Sequence, residues 1–359
     1  TRSDRDWSSD VCSSDLMVEV AKALCFKSKV LIMDEPTATL TRKETVKLFE
    51  IIKKLRSEGV SIIYISHRLE EIKQIADTLT VLRDGRVVGD LSIENASIDQ
   101  IIRMMVGREI KDQYERQYHL HGEEVLRTEN LGAKRFSNVN ISLHRGEIVG
   151  LSGLVGAGRT EIAKTIFGED AIEKGSVYIY GKKYQRMSTQ KATRLRIGLV
   201  PEDRKEEGAI MEMPIRHNIV HAVLPRLFKS AVISRKTELS VAKKYMEELG
   251  IRAPSVNKLV KLLSGGNQQK VVIAKWVCAD CEILIFDEPT RGIDVGAKAE
   301  IYGIMSELVE RGKAILMISS DLPELIGMCD RIYTIKDGMV TAEFSRTEAT
   351  QEKILAACV

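Results

Sequence analysis

The chain repeats itself, and this repeat constrains the fold more than any other feature of the sequence. The segment KVLIMDEPT at residues 29–37 recurs as EILIFDEPT at residues 282–290. Asp34 and Asp287 are 253 positions apart, and the same offset aligns an Ile-Ser pair and an Asp-Gly pair further along without a gap. Such self-similarity indicates two copies of one structural domain in tandem.

The register of the repeat predicts the domain boundaries. The second copy is expected at residues 124–359, the first at 17–110, and the polar stretch 111–123 is expected to link them. Because tandem copies share a length, roughly 130 residues of the first copy are expected to be missing, which makes that domain incomplete. Residues 1–16 match neither copy. Their segment DWSSDVCSSDL resembles a translated sequencing adapter, so we expect these residues to be non-native.

Composition excludes several classes of protein. The chain has 359 residues, is 44% hydrophobic and carries a net charge of +3, which does not favour binding to a polyanion. No apolar run reaches 18 residues, no secretory signal is visible, and six cysteines in a chain this long do not make a disulfide scaffold. These properties favour a cytosolic α/β protein.

The pattern of apolar residues predicts strands that alternate with helices. Residues 283–286 form a short apolar run before Asp-Glu-Pro, which is typical of a buried parallel strand, and residues 298–310 have helical spacing. The first copy repeats both patterns, so a parallel α/β sheet is expected. Residues 181–195 and 206–243 are charged and mixed, and we expect them to form a helical insert.

A glycine-rich turn between a strand and a helix indicates a phosphate-binding loop. The strand is expected at residues 147–152, and the sequence GLVGAGRT follows it. Gly153, Gly156 and Gly158 allow backbone N–H groups to curl around phosphate oxygens at a helix N-terminus. Thr160 can offer its hydroxyl group to a magnesium ion. The alternative is a tight strand-to-helix turn that binds no nucleotide.

Paired carboxylates end the two matching apolar strands. Asp287 and Asp34 can each hold a magnesium ion through its coordination shell. Glu288 and Glu35 follow directly and can orient and polarise an attacking water. The alternative is that Asp-Glu-Pro-Thr only ends a strand and caps the next helix.

A second anion site is expected at residues 263–270, LSGGNQQK. A serine and two glycines stand there just before a helix-like run at 271–277. The N–H groups at such a helix start can bind an anion. Two phosphate sites per domain are explained if the loop of one domain and the serine-glycine turn of the other enclose one nucleotide.

Together these motifs resemble the ATP-binding cassette (ABC) family. The narrower set GLVGAGRTE, LVPEDRKEEG, LSGGNQQKVVIAKW and DEPTRGIDVGAK is similar to the second half of tandem-cassette ATPases of bacterial ribose, galactose and xylose importers. The resemblance covers residues 17–359. It implies P-loop NTPase cassettes with a mainly parallel sheet, an antiparallel β subdomain and a helical insert.

The resemblance also implies two nucleotide sites between the cassettes. In the first, Asp34 would bind the metal, Glu35 would be the water-orienting base and His67 would sense the γ-phosphate. This site would be closed across the interface by the signature residues Ser264, Gly265, Gly266 and Gln268. In the second, the nucleotide would be held by the loop residues Gly153, Gly156, Ala157, Gly158, Arg159 and Thr160.

The remaining residues of the second site follow from the same resemblance. Asp287, Thr160 and Glu202 would contact its metal. Glu288 would be its base, and Asp294 would be the aspartate at the interface.

Three departures from the family pattern concern this second site. Arg159 stands in place of the usual lysine, Glu202 in place of a glutamine, and Ser320 in place of the histidine that the first copy has. We expect the second site to bind ATP but to turn it over slowly, with hydrolysis concentrated in the first; full activity at both sites is the alternative. Because half of each site is expected to be missing, we expect negligible ATPase activity from the chain as given.

The function implied by the resemblance is ATP hydrolysis coupled to monosaccharide import, with ATP and Mg²⁺ bound. The implied partners are membrane permease subunits and, indirectly, an extracytoplasmic sugar-binding protein. The chain would lie at the cytoplasmic face of the bacterial membrane, peripheral and held by the permease, with its cassettes paired and no nucleic acid bound. The alternatives are a nucleoside importer and a soluble tandem-cassette ATPase that acts on ribosomes or nucleic acid. Arg159, the short linker and the near-neutral charge speak against the soluble ATPase.

Overall fold

The computed structural model describes most of the chain as two compact units. The described residues are 28–37, 40, 42–66, 69–83, 85–94, 96–97, 100–101, 104, 121–224 and 234–358. One unit ends at residue 110 and the other starts at residue 111. Residues 1–16, most of the expected linker and His67 lie outside the described residues. No helix in the described ranges combines the length and apolarity needed to cross a bilayer.

The first unit contains a parallel strand pair and an antiparallel hairpin. Its elements are β1 Val30–Asp34, α1 Arg42–Ser57, β2 Ser61–Ile65, α2 Leu69–Ile75, β3 Thr78–Arg83 and β4 Arg86–Ser92. β1 pairs with β2 in parallel, and β3 pairs with β4 antiparallel. Leu48, Phe49 and Ile52 recur at helical spacing on α1 and pack with Met33 of β1.

The second unit is an α/β structure. Its strands are β5 Glu124–Ala133, β6 Phe136–Val139, β7 Ser142–His144, β8 Ile148–Gly153, β9 Lys174–Ile179, β10 Lys182–Tyr184, β11 Ile197–Val200, β12 Ile283–Asp287, β13 Ala314–Ile318, β14 Arg331–Lys336 and β15 Met339–Ser345. Its α-helices are α3 Arg159–Phe167, α4 Thr189–Arg194, α5 Ile215–Val220, α6 Arg235–Glu248, α7 Gly265–Cys278, α8 Val295–Glu310, α9 Leu322–Met328 and α10 Gln351–Cys358.

A six-stranded sheet with the order β11-β12-β13-β8-β14-β15 forms the centre of this unit. All neighbouring strands are parallel except β15, which runs antiparallel at the edge. Every residue of β12 and β13 is buried, as expected for parallel strands with both faces covered. The carboxyl ends of β8, β12 and β13 therefore meet at one edge of the sheet, where ligands bind in folds of this kind.

An antiparallel sheet and a group of helices complete the second unit. β10, β9, β5 and β6 pair in that order, and β7 also pairs with β5. The helices α5 and α6 lie between β11 and β12 in the chain, so the expected helical insert is present. The expectation was wrong for part of residues 181–195, because Lys182–Tyr184 is a strand. Tyr180 and Gly181 have φ of 50° and 73°, which closes a two-residue hairpin between β9 and β10.

The repeat is visible in the bounds of the elements. Each of the six elements described in the first unit recurs in the second unit with both of its bounds shifted by 253 positions. The first such pair is β1 and β12, and the last is β4 and β15. The strand registers recur as well, since Val30 pairs with Ser61 and Ile283 with Ala314. Even the irregularity in the hairpin recurs, after Val81 in the first unit and after Thr334 in the second.

Candidate functional site

The glycine-rich turn joins the end of β8 to the start of α3. Gly156 and Gly158 have φ of 85° and 99°, in the left-handed region that favours glycine. A Cβ atom on Gly153 would lie 2.6 Å from the carbonyl oxygen of Ile335 on β14, so a side chain is excluded there. The first N–H groups of α3 have no intrahelical acceptor, and the turn presents them together. This geometry suits an anion such as a phosphate group.

Asp287, the last residue of β12, is buried beside this turn. Its side chain is 2% exposed, and the Thr160 hydroxyl group is near enough to favour the charged form of its carboxyl group. Its Oδ1 atom has no hydrogen-bond partner among the described residues. Burial raises the pKa of the Asp287 carboxyl group to about 6, because a buried charge loses its hydration.

This pair of oxygen donors fits a hard divalent cation. A buried carboxylate oxygen without a partner is costly, and a cation would remove that cost. Ions of the magnesium type take one or two carboxylates together with substrate phosphates and water. No group of three or more His, Cys, Asp or Glu able to hold a metal occurs in the described part of the chain. The cation would therefore depend on Asp287, Thr160 and the oxygens of a bound phosphate.

Glu288 is held at the same edge in a strained backbone conformation. Its φ is 45°, and its N–H group donates to the carbonyl of Ile318 at 2.9 Å. Its Oε2 accepts a hydrogen bond of 3.2 Å from the Ser320 hydroxyl group. Burial raises the pKa of the Glu288 carboxyl group above its usual value. A fixed carboxylate with a raised pKa suits a general base.

The first unit repeats this backbone geometry. Glu35 has a φ of 44°, and its N–H group donates to the carbonyl of Ile65 at 2.9 Å. Asp34 and Glu35 are both exposed among the described residues. His67, the predicted γ-phosphate sensor of this site, lies outside them.

Arg159 turns towards the sheet edge. Its Nη1 donates to the carbonyl of Ser319 at 2.9 Å and lies 3.7 Å from Oε1 of Glu288. The side chain is 9% exposed. Its positive charge therefore lies beside the carboxylate of Glu288, directly after β12.

Glu202, a predicted metal contact, forms an ion pair with Arg291. A cavity of about 410 Å³ lies next to this pair, and its lining includes Thr160 and Lys164 of α3. The structure thus brings Glu202 near Thr160, and the Arg291 guanidinium already lies beside the Glu202 carboxylate.

The predicted serine-glycine turn lies at the start of α7. A Cβ atom on Gly266 would lie 2.4 Å from Cβ of Ala297 on α8, so only glycine fits. Asp294 caps α8, with its Oδ1 accepting from the N–H of Ala297 at 2.9 Å. The structure therefore brings Ser264, Gly265 and Gly266 close to Asp294.

Gln268 is placed differently from its neighbours in this turn. It is 6% exposed, and its amide nitrogen donates to the carbonyl of Leu263 at 3.2 Å, within its own unit. Asn267 is the more exposed residue, and its amide donates to the Ser264 hydroxyl group at 2.8 Å. Sequence reasoning missed Asn267; its place directly after the two glycines, on the first turn of α7, was the available signal.

Sequence reasoning also missed the buried carboxylate of Glu324 on α9. It is 1% exposed and accepts hydrogen bonds from three hydroxyl groups, those of Thr290, Tyr302 and Ser319. The repeat held the signal, because Glu71 lies 253 positions earlier and accepts from Thr37 at 2.6 Å. The Ser319 carbonyl in turn accepts a hydrogen bond from Arg159, so Glu324 is connected to Arg159 through Ser319.

Comparisons with known proteins agree with this geometry. The profile of the family described as "ABC transporter" matches residues 136–291. The ribose import ATP-binding protein RbsA of Clostridium tetani is 48% identical over 94% of this chain and 68% of its own length. The protein of the same name in Bacillus subtilis is 45% identical over 94% of the chain and 69% of its length.

A solved structure shows the same fold. The nucleotide-free ATP-binding cassette from an ABC transporter superposes with a TM-score of 0.57 and 22% identity. The match covers 66% of this chain and 99% of that cassette.

Proposed function

The chain belongs to the ATP-binding proteins of the ABC transporter family, and from this we propose that it is the ATP-hydrolysing subunit of an importer for a monosaccharide of the ribose class. The observation that most supports this proposal is the buried Oδ1 of Asp287, which has no hydrogen-bond partner among the described residues and lies beside Thr160 and the glycine-rich turn. A triphosphate with its metal would satisfy this oxygen. The sugar class is supported by the ribose import relatives, which are 45–48% identical over 94% of the chain.

The residues of the second unit have distinct tasks in this proposal. The N–H groups of the turn after Gly153 bind the phosphate oxygens. Asp287 and Thr160 hold Mg²⁺, which when bound neutralises charge that develops on the phosphate oxygens. Glu288 orients the attacking water and takes its proton at a carboxylate oxygen, while Ser320 holds the other oxygen of that carboxylate.

Each nucleotide-binding site would be completed by residues of a second cassette. The turn at Ser264–Gly266 and the aspartate Asp294 lie together on the second unit, near the helix starts of α7 and α8. This surface would close the first site, where Asp34 and Glu35 supply the metal contact and the base. Two cassettes that share each ATP would couple its binding to closure of the pair.

Slow turnover in the second site is part of the proposal. Arg159 is already engaged by Ser319 and Glu288, so binding a phosphate competes with those contacts. Ser320 is too short to reach where a histidine at its position would reach. Hydrolysis would therefore be concentrated in the site of Asp34, Glu35 and His67.

The importer context supplies the partners and the location. We propose that permease subunits bind the chain at the cytoplasmic face of the membrane and that an extracytoplasmic binding protein delivers the sugar. Relatives named for ribose import do not favour the nucleoside importer or the soluble ATPase acting on ribosomes or nucleic acid.

Transport by the assembled complex tests the proposal. A full-length tandem-cassette form that carries these residues is reconstituted with its permease in proteoliposomes, and ATP-dependent uptake of labelled ribose is measured with the binding protein present. Uptake of ribose above that of labelled adenosine is expected. Preferential adenosine uptake would favour the nucleoside importer, and co-sedimentation with ribosomes without any uptake would favour the soluble ATPase.

Separate substitutions then distinguish the two sites. Glu35→Gln is expected to abolish steady-state ATP hydrolysis by the complex, because it removes the base of the faster site. Glu288→Gln is expected to leave most of the activity. Loss of all turnover through Glu288→Gln alone would contradict the assignment of the sites.

A further inference from the structure

The side chain of Arg204 joins three segments of the second unit. Arg204 begins a short π-helical turn, Arg204–Gly208, which follows β11. Its Nη1 donates to the carbonyl of Arg291 at 2.8 Å, and its Nη2 donates to the carbonyl of Gly292 at 3.1 Å. Its Nε lies 3.4 Å from Oε1 of Gln268 on α7. One guanidinium thus contacts the loop after β12 and the helix that begins at the serine-glycine turn.

This position is electrostatically unfavourable for a cation. Burial lowers the pKa of the Arg204 guanidinium, and only the nearby charge of Asp203 opposes that effect. A Cβ atom on Gly265 would lie 3.0 Å from Nη2, so the charge lies against the first turn of α7. The dipole of a helix disfavours positive charge at this end. Arg204 therefore occupies the site for the geometry of its hydrogen bonds, all of which go to neutral oxygens.

The planar fork of arginine explains that geometry. Its two terminal nitrogens can hold two successive carbonyl groups at once, which the single ammonium group of lysine does not do. Gly292, with a φ of 64°, turns its carbonyl into this fork two residues before Asp294. The loop that leads to Asp294 and the start of α7 are thereby tied to one side chain.

We propose that Arg204 is a positioning residue that holds the serine-glycine turn and the Asp294 loop as one surface for a second ATP-binding domain. The inference rests on the proposed function, because that surface has a role only if it meets a nucleotide bound to the other, partner ATP-binding domain. In the described residues, Arg204 makes no hydrogen bond to the phosphate-binding turn of its own unit. Although Arg204 lines the cavity beside Thr160, it has no hydrogen bond there to lose, so its effect is expected on turnover in the shared site.

Hydrogen exchange in the full chain tests the positioning itself. Arg204→Gln is expected to speed amide exchange at least fivefold in residues 264–268 and 291–294 together, with residues 153–167 unchanged. Lys205→Gln is the matched control, since this exposed cation lies in the same turn and its side chain has no hydrogen-bond or ion-pair partner in the described residues. Faster exchange in only one segment, in neither, or equally in the control overturns the proposal.

Steady-state kinetics of a full-length tandem-cassette form, assembled with its permease, test the consequence. Arg204→Gln is expected to lower kcat for ATP about tenfold with KM within twofold of wild type, and Arg204→Lys is expected to restore part of kcat. The thermal midpoint of both variants is measured in parallel. A rise in KM at unchanged kcat, or equal loss in both variants in step with a lower midpoint, overturns the proposal. A wild-type complex without ATPase activity would instead contradict the proposed function, and the exchange result would still decide the role of Arg204.

Discussion

Replacing Asp287 by asparagine is expected to stabilise the metal-free protein while removing its response to Mg²⁺. The carboxyl group is 2% exposed, one of its oxygens has no partner among the described residues, and its pKa is raised from 3.8 to about 6. A shift of this size corresponds to about 3 kcal/mol of unfavourable ionisation in the folded state. Because the asparagine amide must also be desolvated, we expect a net gain of about 1–3 kcal/mol at pH 7.5.

The pH dependence has a definite sign. The unfolded chain releases the Asp287 proton near pH 3.8, whereas the folded chain keeps it until about pH 6. Between these values the folded state binds more protons, so wild-type stability falls as pH rises through this window. The cost is complete above pH 6 and absent below pH 4. The advantage of Asp287→Asn is therefore expected at pH 7.5 and is expected to vanish near pH 4.

Urea unfolding in EDTA measures this difference. Trp276 reports on the second unit, because it is 7% exposed and packs edge-on against Phe167 of α3 at 5.6 Å. Trp7, the other tryptophan, is replaced by Phe in all proteins compared. The exposed Asp170→Asn is the control and is expected to change the free energy of unfolding by less than about 0.5 kcal/mol.

Ligand linkage supplies the second half of the test. ATP with Mg²⁺ is expected to stabilise the wild type more than ATP with EDTA, and Asp287→Asn is expected to remove that difference. A variant less stable than wild type at pH 7.5, or an advantage that persists unchanged at pH 4, would refute the idea of an unpaired buried carboxylate. An undiminished Mg²⁺ effect in the variant would refute the metal assignment.

Three further substitutions probe other parts of the second unit. Gly153→Ala is expected to lower the free energy of unfolding by about 1–3 kcal/mol and to weaken ATP binding in calorimetry, because its Cβ would lie 2.6 Å from the Ile335 carbonyl; an unchanged midpoint would argue against the close approach. Glu324→Leu is expected to cost at least about 2 kcal/mol in urea unfolding, since three buried hydroxyl groups lose their acceptor, and a neutral effect would discount that network. Burial lowers the pKa of Lys275 to about 8, so the folded state loses this proton first and wild-type stability gains up to about 3 kcal/mol between pH 8 and 10.5. Lys275→Met is expected to lack that gain, and equal pH profiles for the two proteins would disprove the shift.

Local signals predicted the parts of the site that depend on backbone geometry. The glycines at 153, 156 and 158 indicated a turn that other residues cannot adopt, and two of them have positive φ. The apolar runs before Asp34 and Asp287 indicated strands, and both residues end their strands. These signals suffice because glycine conformations and short buried strands are determined within a few residues.

The remainder required contacts between distant segments. The strand β10 was missed because its two-residue hairpin turn, Tyr180-Gly181, lacks the usual Asn-Gly pair and two lysines follow it. The inward orientation of Gln268 follows from carbonyl groups that precede α7. The role of Glu324 depends in part on Thr290, 34 residues away, and that of Arg204 on Gln268, 64 residues away. Helix and strand periods do not encode such pairs, and for Glu324 the only signal in the sequence was Glu71 at the matching position of the repeat.

By itself the sequence determined the repeat, most of the element types and the places where phosphate and metal chemistry is possible, since spacing and residue type carry that information. Only the tertiary structure decided which side chains lose contact with water. Ile32 and Ile285 occupy the same position of matching strands, yet Ile32 is 64% exposed and Ile285 is fully buried. The matching aspartates differ likewise, since Asp34 is exposed and Asp287 is buried. Burial depends on which distant segments cover a strand, and it is burial that raises the pKa of Asp287 and leaves its oxygen without a partner.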